Sequence, residues 1–449
     1  MSNEPWDLPD DWYWSTIGDV CRLNERDRAL RALPDDLEVT FVPMAAIDAD
    51  RGAIARPERR PLGEVRKGFT PFSDGDVLLA RITPSMENGK AAVARRLVNG
   101  LGFGSTEFHV MRPGSEVLPE WVYHFIRRVE FRSEAKANFA GTAGQLRVPD
   151  LFVRSASIPV APLAEQKRIV DKVEGLLEQS RTAREALDRI PPLLKRFRQA
   201  VLAAAFRGEL TERDASDEPA SVLLERIREE RRRKWEEHLR AKGKDPRKAK
   251  CVGPKTPDAM YLPELPERWV WTTVGAVTDN FDGLRVPVKE SDRNERHGPF
   301  PYYGASGIID HVDRYLFDGN YLLVGEDGAN LLNRASPIAF RACGRFWVNN
   351  HAHVLQTLGG IPLAFLEYYF GAVDLSAYVT GTAQPKMTQA KMNSIPVPLA
   401  PQREQWLIVD AIGSRLAHVE GIEKAVTEAR RRAESVDRSI LVTAFRGEA

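Results

Sequence analysis

The chain carries an internal repeat, so its fold must be one that can be built twice. Residues 8–20 return as residues 265–277, and seven of the 13 positions are identical, including both tryptophans. Ile158-Pro159-Val160 recurs as Ile395-Pro396-Val397, and the sequence Ala-Phe-Arg-Gly-Glu at 205–209 recurs at 444–448. Each copy opens with a turn signal followed by alternating apolar and polar residues, which predicts an entry strand. We therefore expect two related halves.

The spacing of the repeat predicts the domain organisation. The copies lie 257 residues apart at positions 8 and 265, but 239 apart from 165 through 209, without a gap. Lobes of unequal length are thus followed by helical segments of equal length. The predicted domains are residues 1–164 (the first lobe), 165–264 (a central helical region and linker), 265–403 (the second lobe) and 404–449 (a C-terminal helical region).

Both helical segments have apolar residues at alternating steps of four and three, which is coiled-coil spacing. The predicted seam comprises Ile169, Val173, Leu176, Leu187, Leu194, Phe197 and Val201, and then Ile408, Ile412, Val419, Ile422, Val426, Val436 and Ile440. Independent packing of each helix on its own lobe is the alternative. Pro191-Pro192 removes amide donors and crowds the preceding turn, so we expect a break near Ile190.

A third helical pattern covers residues 222–239, and the basic stretch 242–250 follows it. Lysine and arginine exceed aspartate and glutamate by five in residues 165–264, whereas acidic residues exceed basic ones by two in 1–164 and by two in 265–449. The stretch 242–250 is either a solvated linker or a phosphate contact. Three scattered cysteines and no apolar run long enough for a membrane span predict a cytoplasmic protein without a membrane partner.

Two motifs invite catalytic or metal interpretations. Pro149-Asp150 with Glu165-Gln166-Lys167 has the spacing of a metal-dependent nuclease, but Glu165 begins a predicted helix, and Trp406 stands where the repeat would need the lysine. His351 and His353 could face one way on a strand, yet zinc would require a third ligand. Hydrogen bonding is the favoured role of these histidines. We expect no catalytic residue and no bound metal.

Polar clusters lie among predicted strands, and their amide, guanidinium and hydroxyl groups are those that bind base edges and phosphates. They occupy residues 69–90 and 104–109 in the first lobe, and 302–307, 325–330 and 349–351 in the second. Ordinary turn chemistry explains the same residues about as well.

With these motifs the chain resembles, over essentially its whole length, the specificity subunit of type I restriction-modification systems. Residues 72–90 and 102–110 are similar to one class of that family's target-recognition domain, and residues 303–307, 325–330 and 349–355 to another. The closings at 158–170 and 205–209 are similar to its helical conserved regions.

The resemblance implies an α+β fold. Two target-recognition domains of mixed α/β type are separated and followed by long α-helices, which pack as an antiparallel coiled coil with a pseudo-twofold repeat. Each domain is expected to recognise one half of a bipartite, asymmetric site on double-stranded DNA. Two modification subunits would supply S-adenosylmethionine-dependent adenine methylation, and two motor-nuclease subunits ATP-driven translocation and Mg²⁺-dependent cleavage. No cofactor is expected on this chain itself.

We predict DNA contacts from polar residues of both lobes. They are Lys67, Thr70, Arg81, Thr83, Ser85, Asn88, Lys90, Ser105 and Thr106 in the first lobe, and Arg285, Tyr302, Tyr303, Ser306, Asn330, Asn349, His351 and Lys386 in the second. An insertion of about one helical turn near residues 209–216 is expected to lengthen the unread spacer. Two alternatives stay open, namely a coiled-coil interaction scaffold and a stand-alone nuclease.

Overall fold

The computed structural model describes residues 6–25, 28–141, 145–251, 253–381 and 384–448. The chain forms two units, Met1–Arg189 with Val426–Ala449, and Ile190–Ala425. Both units combine helices and sheets, which confirms the predicted α+β class. None of the helices in the described ranges combines the length and apolar character that crossing a bilayer requires.

The first lobe is built from short strands in two four-stranded sheets, β6-β3-β10-β7 and β2-β11-β8-β9, with two small two-stranded sheets, β1-β12 and β4-β5. Its strands are Tyr13–Thr16 (β1), Cys21–Leu23 (β2), Glu38–Val42 (β3), Ile47–Asp48 (β4), Ala53–Ile54 (β5), Glu58–Pro61 (β6), Thr70–Ser73 (β7), Val77–Ala80 (β8), Ala91–Val93 (β9), Leu101–Gly104 (β10), Phe108–Pro113 (β11) and Ser157–Val160 (β12). Its helices are Ile17–Val20 (α1), Leu62–Val65 (α2), Pro119–Arg127 (α3), Val129–Ala137 (α4) and Asp150–Ser155 (α5).

The glycine-rich run at 100–104 forms strand β10 rather than a loop that opens a helix. A Cβ on Gly102 would lie 2.2 Å from Cε2 of Phe72, and one on Gly104 would lie 2.7 Å from the Val42 carbonyl oxygen. Larger residues therefore do not fit between β10 and its neighbours. Sheet packing accounts for these glycines.

The central helices agree with the sequence pattern. They are Leu163–Asp188 (α6), Ile190–Ala205 (α7) and Ala220–Ala241 (α8). The break between α6 and α7 falls at Arg189, immediately before Pro191-Pro192, which confirms the predicted interruption. Residues 209–216 lie between α7 and α8, so they are loop and not helix.

The second lobe has one six-stranded sheet of order β14-β19-β17-β18-β15-β16 and one two-stranded sheet, β13-β20. Its strands are Val270–Thr273 (β13), Thr278–Asn280 (β14), Phe300–Gly304 (β15), Gly307–Val312 (β16), Phe317–Gly325 (β17), Ala339–Val348 (β18), Ala352–Thr357 (β19) and Pro396–Leu399 (β20). Its helices are Val274–Val277 (α9), Glu290–Asn294 (α10), Asn330–Asn333 (α11), Leu363–Ala372 (α12) and Gln389–Asn393 (α13). The last helix is Gln402–Phe445 (α14).

The repeated end motifs pair with each other inside each lobe. Tyr13 lies opposite Val160 in the β1-β12 sheet, and Val270 lies opposite Leu399 in the β13-β20 sheet. The counterpart of residues 158–160 is therefore 397–399, and the match with the identical letters at 395–397 was wrong by two residues. The gap-free offset of 239 thus begins earlier than residue 165.

The repeated glutamates at the helix starts bind the repeated tryptophans. Trp12 Nε1 donates to Glu165 at 3.1 Å, and Trp269 Nε1 donates to Glu404 at 2.9 Å. Each bond joins an entry strand to the helix that follows its lobe. Glu165 therefore has a structural role, which explains why it recurs without the rest of a nuclease motif.

Each helical segment begins on its own lobe and ends in the core of the other. Ile169 and Val173 of α6 are buried in the first-lobe core, which also contains Phe445 from the end of α14. Ile408 and Ile412 of α14 are buried in the second-lobe core, which also contains Phe206, just beyond α7. Packing on the helix's own lobe, the alternative left open by the sequence, is correct for the first turns.

Further along, the helices pair antiparallel within each unit. Arg184 and Asp437 are 3.0 Å apart in the first unit, and Arg198 and Glu423 are 2.9 Å apart in the second. The buried seam residues are Ile169, Val173, Leu194, Val201, Ile408, Ile412, Val419 and Val426, while Leu187 and Ile440 are half-buried.

Four residues predicted in the seam are exposed, namely Leu176, Phe197, Ile422 and Val436. Near Val436 the helices are joined by ion pairs rather than by apolar contacts. Phe197 and Ile422 line an open apolar groove together with Leu193. The heptad spacing correctly identified the apolar residues along each helix. It did not show which of them are buried between the paired helices.

Candidate DNA interface

The two lobes share one backbone arrangement where the central strands end. Arg81, directly after β8, donates its backbone N–H to the Glu107 carbonyl at 2.9 Å. Glu326, directly after β17, donates in the same way to the His351 carbonyl at 2.9 Å. Arg81 and Glu326 therefore occupy equivalent positions. At this position the first lobe has a cationic side chain, Arg81, and the second lobe has an anionic one, Glu326.

A second pair of bonds extends the equivalence. The Val148 N–H donates to the Arg81 carbonyl at 2.8 Å, and the Met387 N–H donates to the Glu326 carbonyl at 2.8 Å. Val148 and Met387 are 239 residues apart, so the constant offset of the helices already applies here.

A buried histidine stands at the second residue of the neighbouring strand in each lobe. Nε2 of His109 in β11 lies 2.9 Å from the Val148 carbonyl, and Nε2 of His353 in β19 lies 2.9 Å from the Met387 carbonyl. Since a carbonyl only accepts, both histidines donate from Nε2. These hydrogen bonds hold the segments that contain Val148 and Met387 against the sheets of their lobes.

The other ring nitrogen distinguishes the two lobes. Nδ1 of His109 lies 3.3 Å from the Asn24 amide nitrogen and 3.4 Å from Asp150 Oδ1, and burial lowers the pKa of His109. Nδ1 of His353 lies 2.6 Å from Asp282 Oδ2, which accepts. His353 thus has an oxygen atom within hydrogen-bond distance of each ring nitrogen, Asp282 Oδ2 at Nδ1 and the Met387 carbonyl at Nε2.

His353 belongs to a network of ionisable side chains that also contains Asp282, Arg285, Glu326 and Lys386. Arg285 Nη1 donates to Glu326 Oε2 at 2.7 Å and to the Ala352 carbonyl at 2.7 Å, and Lys386 Nζ lies 3.1 Å from Glu326 Oε1. Burial alone would raise the pKa of Glu326, but the hydrogen bond from Arg285 and the nearby His353 outweigh it and hold that pKa below its usual value. Arg285 and Lys386 thus compensate the negative charge of Glu326, and Arg285 also lies 3.5 Å from Asp282.

This network also bears on metal binding. Among the described residues, Asp282, Glu326 and His353 form the one group of three whose ligand atoms lie within 4.8 Å of one another. The sequence had paired His353 with His351 and offered no third ligand. Because Arg285 and Lys386 already bind Glu326, the geometry fits a charge-compensated network better than a cation site.

In the first lobe several predicted residues meet at one end of the sheets. Thr70 lies opposite Gly104 at the end of β10, so it neighbours Ser105, while Thr106 precedes Glu107, which contacts Arg81. Arg81 is partly exposed and lies 3.6 Å from Asp150. This set of strand ends, defined by residues 70, 81 and 104–107, is called the first edge below.

The remaining first-lobe candidates lie on nearby turns. Lys67 and Asn88 are exposed, and Ser85 is half-buried. Thr83 donates its hydroxyl to Glu87, and Lys90 Nζ donates to the Met44 carbonyl at 2.9 Å. Thr83 and Lys90 therefore stabilise the turn after β8 through hydrogen bonds within the lobe.

In the second lobe the structure gives four candidates internal roles. Tyr302 is 1% exposed, and its hydroxyl accepts from the Val288 N–H. Asn349 is buried and accepts from the His351 N–H, while Asn330 bonds both ways with the Ser336 backbone. With Arg285 in the ion-pair network, these four side chains form hydrogen bonds inside the lobe, which favours a positioning role, and their direct contact with DNA stays a prediction.

The other four second-lobe candidates present polar groups at the surface. Ser306 is exposed in the turn after β15, and Tyr303 beside it is half-buried. Lys386 is half-exposed, and His351 Nδ1 lies 2.7 Å from Asp327. These strand ends, defined by residues 303–306, 326–327, 351 and 386, are called the second edge below.

Sequence reasoning missed Arg147, which donates two hydrogen bonds to Glu107, at 2.8 and 2.7 Å. The hydrogen bonds from Arg147 lower the pKa of Glu107. Arg147 and Lys386 are 239 residues apart, so extending the constant offset beyond the helices would have identified it. Both are cations on the same returning segment.

Comparison with known proteins assigns the family. Residues 9–190 and 266–426 match the type I restriction modification DNA specificity domain. The chain belongs to this family, and the scaffold alternative is not favoured.

The relatives are specificity subunits. The chain is 31% identical over 327 residues to the EcoEI specificity subunit of Escherichia coli, covering 64% of this chain and 53% of that protein. It is 25% identical over 479 residues to the EcoKI specificity subunit of Escherichia coli K12, covering 98% of this chain and 90% of that protein. The match thus spans about half the length of the first relative and nearly all of the second.

Solved structures show the same fold. A chain described in work on complex assembly and conformational transition of the type I R-M system superposes with a TM-score of 0.74 at 20% identity, covering 99% of this chain and 100% of that one. The HsdS subunit from Thermoanaerobacter tengcongensis gives a TM-score of 0.61 at 21% identity, covering 100% of both chains.

Proposed function

We propose that this chain is the DNA sequence-specificity subunit of a type I restriction-modification complex and recognises a bipartite, asymmetric target. The observation that carries the proposal is the family match over both halves, each of which folds into a lobe closed by the same two-stranded sheet. Residues 1–164 and 265–403 would be the two target-recognition domains. Because one lobe has two four-stranded sheets and the other a six-stranded sheet, the two half-sites are expected to differ.

Catalysis would belong to partner subunits. Two modification subunits would bring S-adenosylmethionine and methylate adenine, and two motor-nuclease subunits would use ATP and Mg²⁺. The names of the relatives, which are subunits of type I restriction enzymes, support this division. The open apolar groove of Leu193, Phe197 and Ile422 supports the presence of another subunit on the helices of the second unit.

The DNA contacts are proposed at the two edges and the adjoining turns. Accessible polar side chains there are Lys67, Thr70, Arg81, Ser85, Asn88, Ser105 and Thr106 in the first lobe, and Tyr303, Ser306, His351 and Lys386 in the second. The internally bonded candidates would position these loops. The direct test is duplex binding by the co-purified complex, which should be sequence-dependent and weaken as salt rises. Binding that ignores sequence would contradict the proposal.

Single substitutions at the edges should alter one half-site each. Thr106 and Ser306 are exposed, so alanine there removes a hydroxyl without disturbing a core. We expect Thr106→Ala to relax base choice in one half-site, by about 1–3 kcal/mol for a base that the hydroxyl contacts, and Ser306→Ala to do so in the other. Methylation profiling of each variant complex measures the effect. Ser155→Ala, an exposed change elsewhere in the first lobe, is the control, and a change in both halves from either variant would refute the assignment.

The spacer prediction needs a different insertion site, because residues 209–216 are loop. Thr211 and Asp214 there contact the start of α14, through Glu404 at 2.9 Å and Arg403 at 2.8 Å. A heptad should instead be added to both paired helices, after Arg196 and after Lys424, so that the seam is kept.

Seven residues add about 10.5 Å of helix, which equals about three base pairs at ~3.4 Å each. We expect the unread spacer in the methylated motif to lengthen by about that amount with both half-sites unchanged. A heptad in α7 alone is the control and should impair assembly. An altered half-site in the double insertion would contradict the proposed role of the helices.

A further inference from the structure

The first unit contains an arginine-lined cavity whose lining includes Asn88, on the turn after β8, and the helix-joining pair Arg184 and Asp437. Its volume is about 520 Å³, within the range of small-ligand sites. The lining comes from the turn at 49–51, the turn at 88–89, helices α3 and α4, and the facing parts of α6 and α14. Residues from six segments thus surround one space.

Four guanidinium groups that line this cavity are in no ion pair within the described ranges; one of them, Arg128, lies over the Phe125 ring, 4.1 Å from its centroid, and the other three remain. Arg127 donates to the Ala49 carbonyl at 2.8 Å and Arg132 to the Glu87 carbonyl at 3.1 Å, while Arg438 is exposed on α14. Nε of Arg132 is buried without a hydrogen-bond partner. Burial, together with the charges of Arg127 and Arg438, lowers the pKa of Arg132. The cations repel one another, and an anion among them would relieve that repulsion.

The carboxylates of the lining are mostly engaged with other groups. Glu178 pairs with Arg181, Asp437 lies 3.0 Å from Arg184, and Glu174 lies 3.7 Å from His124 Nε2. Asp50 and Glu434 complete the acidic lining. No carboxylate in the described ranges lies within ion-pair distance of Arg127, Arg132 or Arg438, although the nearby Glu130 acts against the lowered pKa of Arg132.

His124 provides an independent sign of a missing ligand. The residue is 4% exposed, and neither ring nitrogen has a hydrogen-bond partner. Glu174 at 3.7 Å is too distant for a hydrogen bond. Buried polar atoms without partners are rare and cost free energy, so a group that bonds His124 would stabilise the unit.

We propose that this cavity binds a small phosphate-type polyanion, whose oxygens bridge Arg127, Arg132 and Arg438 and accept a hydrogen bond from His124. Planar guanidinium groups match phosphate oxygens in pairs, which a single lysine does not. A chain of two or three phosphates is the fitting class, either as an inorganic polyphosphate or as the phosphates of a nucleotide. A duplex backbone is convex and does not enter a space surrounded by six segments.

The aromatic lining favours recognition of phosphates over recognition of a base. The ring of Tyr123 is buried, and its hydroxyl accepts from Arg127. Because Tyr123 is only 6% exposed, its ring offers no free face on which a base could stack. A ligand bound here would join α4 of the lobe to the end of α14, so it should raise the stability of the first unit.

The test uses the full-length chain titrated calorimetrically with tripolyphosphate, with the unfolding temperature followed in parallel. We expect one ion bound per chain and a higher unfolding temperature. Arg438→Gln should weaken binding about tenfold through the lost charged hydrogen bonds. Arg438 is exposed, so the fold should survive the change; Arg132→Gln provides a second variant. The matched control is Arg432→Gln on the same helix, which pairs with Glu428 outside the cavity and should leave binding unchanged.

Adenosine triphosphate and adenosine distinguish the sources of the phosphates. Equal affinity for tripolyphosphate and the nucleotide, with none for adenosine, identifies the phosphates as the whole determinant. Clearly tighter binding of the nucleotide identifies a nucleoside polyphosphate as the ligand. Absence of saturable binding at millimolar tripolyphosphate would overturn the proposal, as would equal weakening by Arg438→Gln and Arg432→Gln.

Discussion

Replacing Phe445 by alanine is expected to destabilise the first lobe by about 3–5 kcal/mol, although the residue lies near the far end of the chain. Phe445 is 1% exposed, and its ring centroid lies 4.6 Å from that of Trp121 and 5.4 Å from that of Phe125. Removing the ring leaves a cavity among large aromatic side chains that cannot collapse easily. Phe206 has the same role in the second lobe, 5.2 Å from Phe365 and 5.0 Å from Tyr369.

Hydrogen exchange can show which lobe each phenylalanine substitution destabilises. Phe445→Ala should remove protection from first-lobe peptides and spare the second lobe, whereas Phe206→Ala should do the reverse. Val436→Ala, at a position 51% exposed on the same helix as Phe445, is the control and should change little. Equal loss of protection in both lobes from either variant would show that the helix ends do not complete the cores as described.

Arg285→Met should destabilise the second lobe by about 3–5 kcal/mol, because it leaves buried carboxylates without their partner. The side chains of Arg285 and Glu326 are 12% and 11% exposed. The matched control is Lys386→Met, which removes a cation from the same carboxylate, but that ammonium is 50% exposed, so at most about 1 kcal/mol should be lost. Chemical denaturation of the three proteins gives the comparison.

The pH dependence of that loss follows from the carboxyl groups. The pKa values of Asp282 and Glu326 lie below their ordinary values in the folded protein. Their contribution is therefore fully present above the ordinary values and is lost as the pH falls through the lowered ones. The difference between wild type and Arg285→Met should shrink in acid. A difference that persists unchanged at low pH would contradict the ion-pair account.

Much of the architecture could be predicted from the sequence because its signals are local or periodic. The repeat, the equal helical segments and the break before Pro191 depend on spacing and on proline chemistry, and all are present. The match of 158–160 with 395–397 was wrong because it relied on identical residues. The structural counterpart is set by the strand pairing, which the sequence alone does not show.

The site was harder to predict because its contacts join distant segments. His353 contacts Asp282, which lies 71 residues away in the sequence, and the Met387 carbonyl, which lies 34 residues away. No local sequence pattern therefore predicts the network. Tyr302 and Arg285 have the residue types of DNA contacts, yet tertiary packing buries them. Phe197 and Ile422 have seam spacing, but heptad periodicity does not show which side of a stripe another helix covers.

The most direct measurement of the central claim is to express this chain with its modification subunits and map methyladenine across a genome. We expect one bipartite motif with two unlike half-sites and a fixed unread spacer, and a single-lobe variant such as Thr106→Ala should change only one half. Scattered or absent methylation from an assembled complex, or a motif with two identical halves, would contradict the central claim.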